Sequence, residues 1–178
     1  EPIRKVGDMG RRKVWAWSGD PIAKETFSAM GANPIPLTIS DVMTALNTGM
    51  IDTVYAPPLG AIALQWHRSV KFMTSLTLAH STGAVLISSS FFQKIPPALA
   101  GMMRDEFRRA MSRLTRDLRA QNEESIKVLE KGGLAILPMP PDSDLKDFYG
   151  VHDQVSRRLT GKIYSQEVLD RIYGILQR

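Results

Sequence analysis

The chain has 178 residues, 43% hydrophobic and 23% charged, with a formal net charge of +5 and no cysteine. That balance fits one globular domain or two small lobes, and it argues against a disordered chain. The lack of cysteine excludes a disulfide framework, zinc–thiolate and Fe–S sites and a cysteine nucleophile. No apolar run approaches the roughly 20 residues needed to cross a bilayer.

The first residue is Glu1, with neither Met nor a signal-peptide pattern, so the chain reads as processed, truncated or a fragment. Residues 13–17 (Lys-Val-Trp-Ala-Trp) read as a strand. Asp20 is a natural N-cap and Pro21 a natural first helical residue. Ile22, Ala23, Phe27 and Met30 then recur at helical spacing until Gly31 stops the helix. Residues 33–37 are extended, because Pro34 and Pro36 forbid a helix and suit a sheet edge. Ser40 or Asp41 is expected to cap a second helix that ends at Gly49. Residues 50–56 read as a third strand, and 59–70 as a third helix.

Strands alternating with helices of this length predict βαβ units, a largely parallel sheet and right-handed crossovers. Ligands of such sheets sit at the carboxyl ends of the strands. Here those ends carry Trp17 to Asp20, Thr38 to Ser40 and Tyr55 to Pro58. Residues 71–78 and 83–89 are two further extended segments, the second being the most strand-like run in the chain. Pro96-Pro97 opens a helix reaching to about Lys131, with Leu99, Met103, Phe107, Met111, Leu114 and Leu118 in one stripe. At about 1.5 Å per residue it is roughly 54 Å long, more than one small lobe is wide. A last strand at 134–138 and amphipathic helices at about 142–160 and 165–176 close the chain.

Catalytic and phosphate-binding patterns are absent: the sequence has no GxSxG, HExxH, GxxxxGK[ST] or GxGxxG. His67, His80 and His152 lack the spacing of metal ligands and read as surface or structural residues. No cofactor is implied. Asp20 and Asp41 resemble an acid/base pair only until their places at helix starts are read, where carboxylates cap backbone N–H groups. The arginines at 104, 108, 109, 113, 116 and 119 alternate with Asp105, Glu106 and Asp117, the pattern of a solvated helix face rather than a nucleic-acid surface. Trp15, Trp17 and Tyr55 form an aromatic cluster on adjacent predicted strands. One tryptophan is expected in the core and one lining a cleft.

The segment order resembles a known family. Gly31-Ala32-Asn33-Pro34-Ile35-Pro36-Leu37, Ser40-Asp41-Val42, Ala45-Leu46-Asn47-Thr48-Gly49 and Ile51-Asp52 look like the "GA-P-P…EVYTALQTG-VDG" segment of the extracytoplasmic solute receptors of TRAP transporters, the DctP type. Arg12-Lys13-Val14-Trp15 stands where those receptors carry "GLKIR". Val70-Lys71-Phe72 with His80, and Ile95-Pro96-Pro97 opening a long helix, extend the likeness across the chain.

The resemblance implies a two-lobed α/β periplasmic binding protein that closes on its ligand, present here as a fragment lacking most of the N-terminal lobe. It places residues 1–80 and 123–178 in the C-terminal lobe, and 81–122 in the N-terminal lobe as a strand and long helix. It implies a non-enzymatic receptor in the bacterial periplasm, with partners as a route to membrane association.

Three positions depart from the family pattern. Trp15 stands at the arginine that clamps a ligand carboxylate, Ala56 at an asparagine that faces the ligand, and Ile39 at an aromatic. The implied ligand is therefore hydrophobic or weakly polar. Its expected wall is Trp15, Trp17, Ser18, Ile39, Tyr55, Ala56 and Pro57. The expected partners are that small molecule and the membrane permease subunits. Arginine-less receptors also resemble a subgroup that works beside a periplasmic TPR-repeat protein, which adds such a protein as a candidate partner. Three other readings stand beside this one. They are a protein-docking module using the long helix, an enzyme of binding-protein ancestry built on Ser18, Asp20 and His80, and nucleic-acid binding through the arginine helix.

Overall fold

The computed structural model describes residues 1–80 and 82–176. Its centre is β1 (Lys13–Trp17), in which Val14, Trp15 and Ala16 are all buried, so both faces of the strand are covered. Val14 faces one way, into a core with Met9, Phe27, Met30, Val151, Val155 and Leu159. Trp15 faces the other way, into a core with Val42, Ala45, Leu46, Ile51 and Trp66. One short strand thus serves two cores because its alternate side chains are all apolar.

From β1 the chain turns at Gly19, in the left-handed region at φ +89°, into α1 (Pro21–Ala29). Asp20 caps this helix as expected, with Oδ1 accepting from the N–H groups of Ile22 and Ala23, both at 3.0 Å. Gly31, at φ +81°, ends the turn beyond it. β2 (Asn33–Leu37) pairs parallel to β1, with Lys13 opposite Asn33 and Trp17 opposite Leu37. Pro34 and Pro36 donate no hydrogen bond, which an edge strand tolerates.

A single 3-10 turn at Ile39–Asp41 leads into α2 (Val42–Asn47). The expected side-chain cap from Ser40 or Asp41 is absent. The Asp41 carboxylate instead accepts the Thr38 hydroxyl at 2.6 Å, and that hydroxyl also lies 2.7 Å from Ser40 Oγ.

Three more sequence expectations need correction. The strand expected at 50–56 is reduced to one bridge, Val14 to Thr53, on the far side of β1. The Asp52 side chain takes the Lys13 N–H at 3.2 Å, and Pro57 and Pro58 then lack the donors a longer ladder needs. The helix expected at 59–70 stops early. α3 spans Pro58–Ala63, Gln65 adopts φ +60°, and a 3-10 turn covers Trp66–Arg68. This break lets Trp66 enter the core, where it is 2% exposed. A side chain other than glycine costs energy in the left-handed region, so Gln65→Gly should raise stability by about 1 kcal/mol in urea titration.

The third correction concerns residues 83–89, which form no strand, and Leu86 is 87% exposed. Strand propensity reflects packing on a neighbouring strand, and none of the described residues supplies one.

β3 (Phe72–Thr74) pairs parallel to β4 (Ala135–Leu137) in a second two-stranded sheet. Between them in sequence come α4 (Ser89–Phe92) and the 35-residue α5 (Pro97–Lys131), which ends at Gly132-Gly133 as expected. α5 is held mainly near its C-terminal end. Ser125 and Leu129 are buried there, and Asn122 Oδ1 accepts the Leu59 N–H at the start of α3 at 3.1 Å. Its predicted apolar stripe is largely uncovered, with Leu99, Phe107, Met111, Leu114 and Leu118 exposed. α6 (Asp142–Leu159) buries Val151, Val155 and Leu159 against α1, and Leu169 anchors α7 (Gln166–Leu176). No helix among the described residues is long and apolar enough to cross a membrane.

Candidate ligand-binding wall

Because β1 and β2 are parallel and in register, their carboxyl ends lie side by side. The chain leaves β1 through Ser18, Gly19 and Asp20, and leaves β2 through Thr38, Ile39 and Ser40. The Ser18 N–H donates to the Leu37 carbonyl at 3.2 Å and so joins the two exits. Tyr55 comes in from the third segment. Its ring stacks on Trp15 with centroids 4.9 Å apart and tilts against Phe27 at 5.3 Å. Its hydroxyl accepts the Trp17 N–H at 3.4 Å, so Tyr55 ties the strand end to both cores. Burial pushes the Tyr55 phenol above its ordinary pKa, and the nearby Asp20 charge adds to this against the lowering effect of the Trp17 N–H. The group is a neutral hydroxyl at physiological pH.

The two tryptophans divide between core and surface. Trp15 is 3% exposed, meets Trp66 edge-on at 5.1 Å, and donates its indole N–H to the Leu37 carbonyl at 3.1 Å. Trp17 is 54% exposed at the end of the strand. Ser18, Ile39, Ala56 and Pro57 are exposed and Tyr55 is half-buried. The structure therefore brings Trp17, Ser18, Ile39 and Tyr55 to one end of the strand pair. It sets Trp15 beneath them, as the floor on which Tyr55 lies.

The chemistry of this wall suits contact rather than reaction. Among the described residues, Ser18, Asp20 and His80 make no hydrogen bond to one another, and no group of three His, Asp or Glu is placed to hold a metal. Asp20 is occupied by capping α1, and His80 is exposed beyond β3. Two hollows lie elsewhere, about 510 Å³ among residues 1–12 and about 440 Å³ beside the end of α5. Trp17, Ser18 and Ile39 at the strand ends are exposed and form an open face. The Thr38–Asp41 hydroxyl–carboxylate pair was missed in the sequence reading, although a Thr three residues before an Asp at a helix start is a legible signal for such a bond.

The ectoine-binding periplasmic protein TeaA of Halomonas elongata is 23% identical over 99% of this chain and 52% of its own length. The solved structure of the periplasmic ectoine-binding protein from that organism's TeaABC TRAP transporter superposes with a TM-score of 0.87 at 22% identity. It covers 99% of this chain and 58% of that one. A TRAP periplasmic solute-binding protein from Xanthobacter autotrophicus Py2, with bound β-D-galacturonate, gives 0.80 at 20% identity, covering 98% and 56%. These likenesses establish the fold, and the chain spans little more than half the length of each of these relatives. The model of the DctP family, bacterial extracellular solute-binding protein family 7, matches residues 1–162, from the segment before β1 through α6. On that match, the chain belongs to the DctP family of bacterial extracellular solute-binding proteins.

Proposed function

We propose that the chain is part of a periplasmic receptor that captures a small solute between two lobes and delivers it to the permease subunits of a TRAP-type secondary transporter. The observation that carries this reading is the wall at the carboxyl ends of β1 and β2. There the exposed Trp17, Ser18 and Ile39 and the half-buried Tyr55 come together in a chain of a family that binds solutes, and the exposed Ala56 and Pro57 follow Tyr55 in the chain. Binding needs no covalent chemistry. Burying apolar ligand surface contributes about 25 cal/mol per Å², and closure of a second wall would complete the burial.

In this reading residues 1–80 and 123–178 build one lobe, and residues 81–122 reach into the other. The uncovered stripe on the first two-thirds of α5 and the exposed segment around Leu86 support that division, since contiguous apolar surface of this extent marks a contact. The same stripe favours the second reading, a module that docks a periplasmic protein such as a TPR-repeat partner.

The ligand is proposed to be largely apolar or weakly polar. Trp15 occupies the place that the family resemblance gives to a carboxylate-clamping arginine, and its indole N–H is already committed to Leu37. The relatives' solutes, ectoine and galacturonate, belong to those proteins. The test is to purify the full-length protein without added ligand and identify the small molecule it retains. A retained solute supports the receptor, whereas a co-purifying protein with no solute supports docking. Trp17→Ala should then weaken solute binding about tenfold or more in calorimetry. It should leave the urea midpoint unchanged, because a half-exposed side chain at a strand end adds little to folding.

A further inference from the structure

The chain is basic overall, yet its strand-end wall is not. Residues 25–67, which supply the exits of β2 and of the third segment, contain no lysine or arginine, in a protein with 23 of them. The exit of β1, from Trp17 to Asp20, has none either. Lys13 stands at the opposite end of β1, where its ammonium donates to the Gly49 carbonyl. Lys24 is one turn into α1. The charges that do belong to the wall are both negative. Asp20 follows β1 by three residues and Asp41 follows β2 by four, so the register of the pair sets both at the same end.

Each carboxylate has spare acceptor capacity. Asp20 uses Oδ1 for its cap, and Asp41 uses Oδ2 for Thr38. Asp52, the remaining aspartate of this region, is at the other end, against the Lys13 N–H. At the same strand ends stand the exposed Trp17 ring and the Tyr55 hydroxyl, which accepts the Trp17 N–H.

An anionic group approaching this wall meets two like charges and no counter-ion from it. A positively charged nitrogen meets two carboxylates and an indole face, which attracts cations through its quadrupole. Resting on the receptor reading above, we infer that the polar part of the captured solute is cationic, with Trp17, Asp20 and Asp41 setting that preference. The wall selects by repulsion as well as attraction, so carboxylates are excluded even where their apolar bodies would fit.

The test uses the full-length protein and three probes that share one apolar body: benzyltrimethylammonium, benzyl alcohol and benzoate. The ammonium probe should bind about tenfold more tightly than the alcohol, the scale of a partly desolvated cation–π contact, and benzoate more weakly than both. Asp41→Asn should weaken the ammonium probe about three- to tenfold and leave the alcohol unchanged. The ammonium affinity should fall as salt is raised. Benzoate binding as tightly as the ammonium probe overturns the inference.

Identification of the retained solute gives the second arm. A solute with a positively charged nitrogen and no carboxylate upholds the inference, and one that carries a carboxylate overturns it. A purely anionic or neutral one overturns it and leaves the receptor reading standing. No retained solute and no binding of any probe overturns both.

Discussion

Trp15→Ala should lower folding stability by about 3–5 kcal/mol, the range for removing a buried aromatic, measured as the shift in urea unfolding free energy. The side chain packs with Tyr55, Trp66, Val42 and Leu46; α2 holds Val42 and Leu46 and the turn after Gln65 holds Trp66, which limits their collapse into the space. Trp15→Phe should cost much less. It keeps an aromatic floor under Tyr55, and the Leu37 carbonyl that loses the indole N–H still accepts from Ser18. The contrast separates packing from hydrogen bonding. If the phenylalanine variant is as unstable as the alanine one, the indole bond carries more than this account allows.

Leu129→Ala should cost about 2–5 kcal/mol and act mainly on the long helix. Leu129 is 2% exposed, and with Ser125 it provides the buried anchorage of α5 near its end. Amide exchange read along α5 should show the N-terminal two-thirds gaining rate most, because few buried contacts hold them. Uniform loss of protection through β1 and α1 instead would mean that α5 and the two cores unfold as one unit.

Much of this architecture could be read from residue order. Asp20-Pro21 with Gly31 bounded α1, and Gly132-Gly133 closed α5, because caps and left-handed glycines act locally. The short apolar and aromatic run at 13–17 marked β1 as a strand. What failed was set by partners beyond the local sequence. Residues 83–89 have the composition of a strand and, among the described residues, no neighbour to pair with. Residues 50–56 keep β1 as a neighbour only around Thr53, with the Asp52 carboxylate on the Lys13 N–H before it and the donor-less Pro57 and Pro58 after it. The break at Gln65 was invisible because glutamine carries no turn signal, and it is the burial of Trp66 that accompanies the bend.

The wall was legible in outline and not in depth. Strand ends nominated Trp17, Ser18, Ile39, Tyr55, Ala56 and Pro57, and of the tryptophan expected inside and the one expected to line a cleft, the structure buries Trp15 and exposes Trp17. Assigning Trp15 to the inside needed the pairing partners on both sides of β1.

The stretch without lysine or arginine also governs how the protein can be dissected chemically. Trypsin cuts after those residues, so digestion leaves one long peptide from Glu25 to Arg68 and a short one from Val14 to Lys24. The exits of β2 and of the third segment travel together on the long peptide, while the exit of β1, with Trp17 and Asp20, travels on the short one. A photoreactive solute caught at the strand ends would therefore mark these two fragments and spare those of α5. Peptide mapping of the label would show which exit the solute touches first.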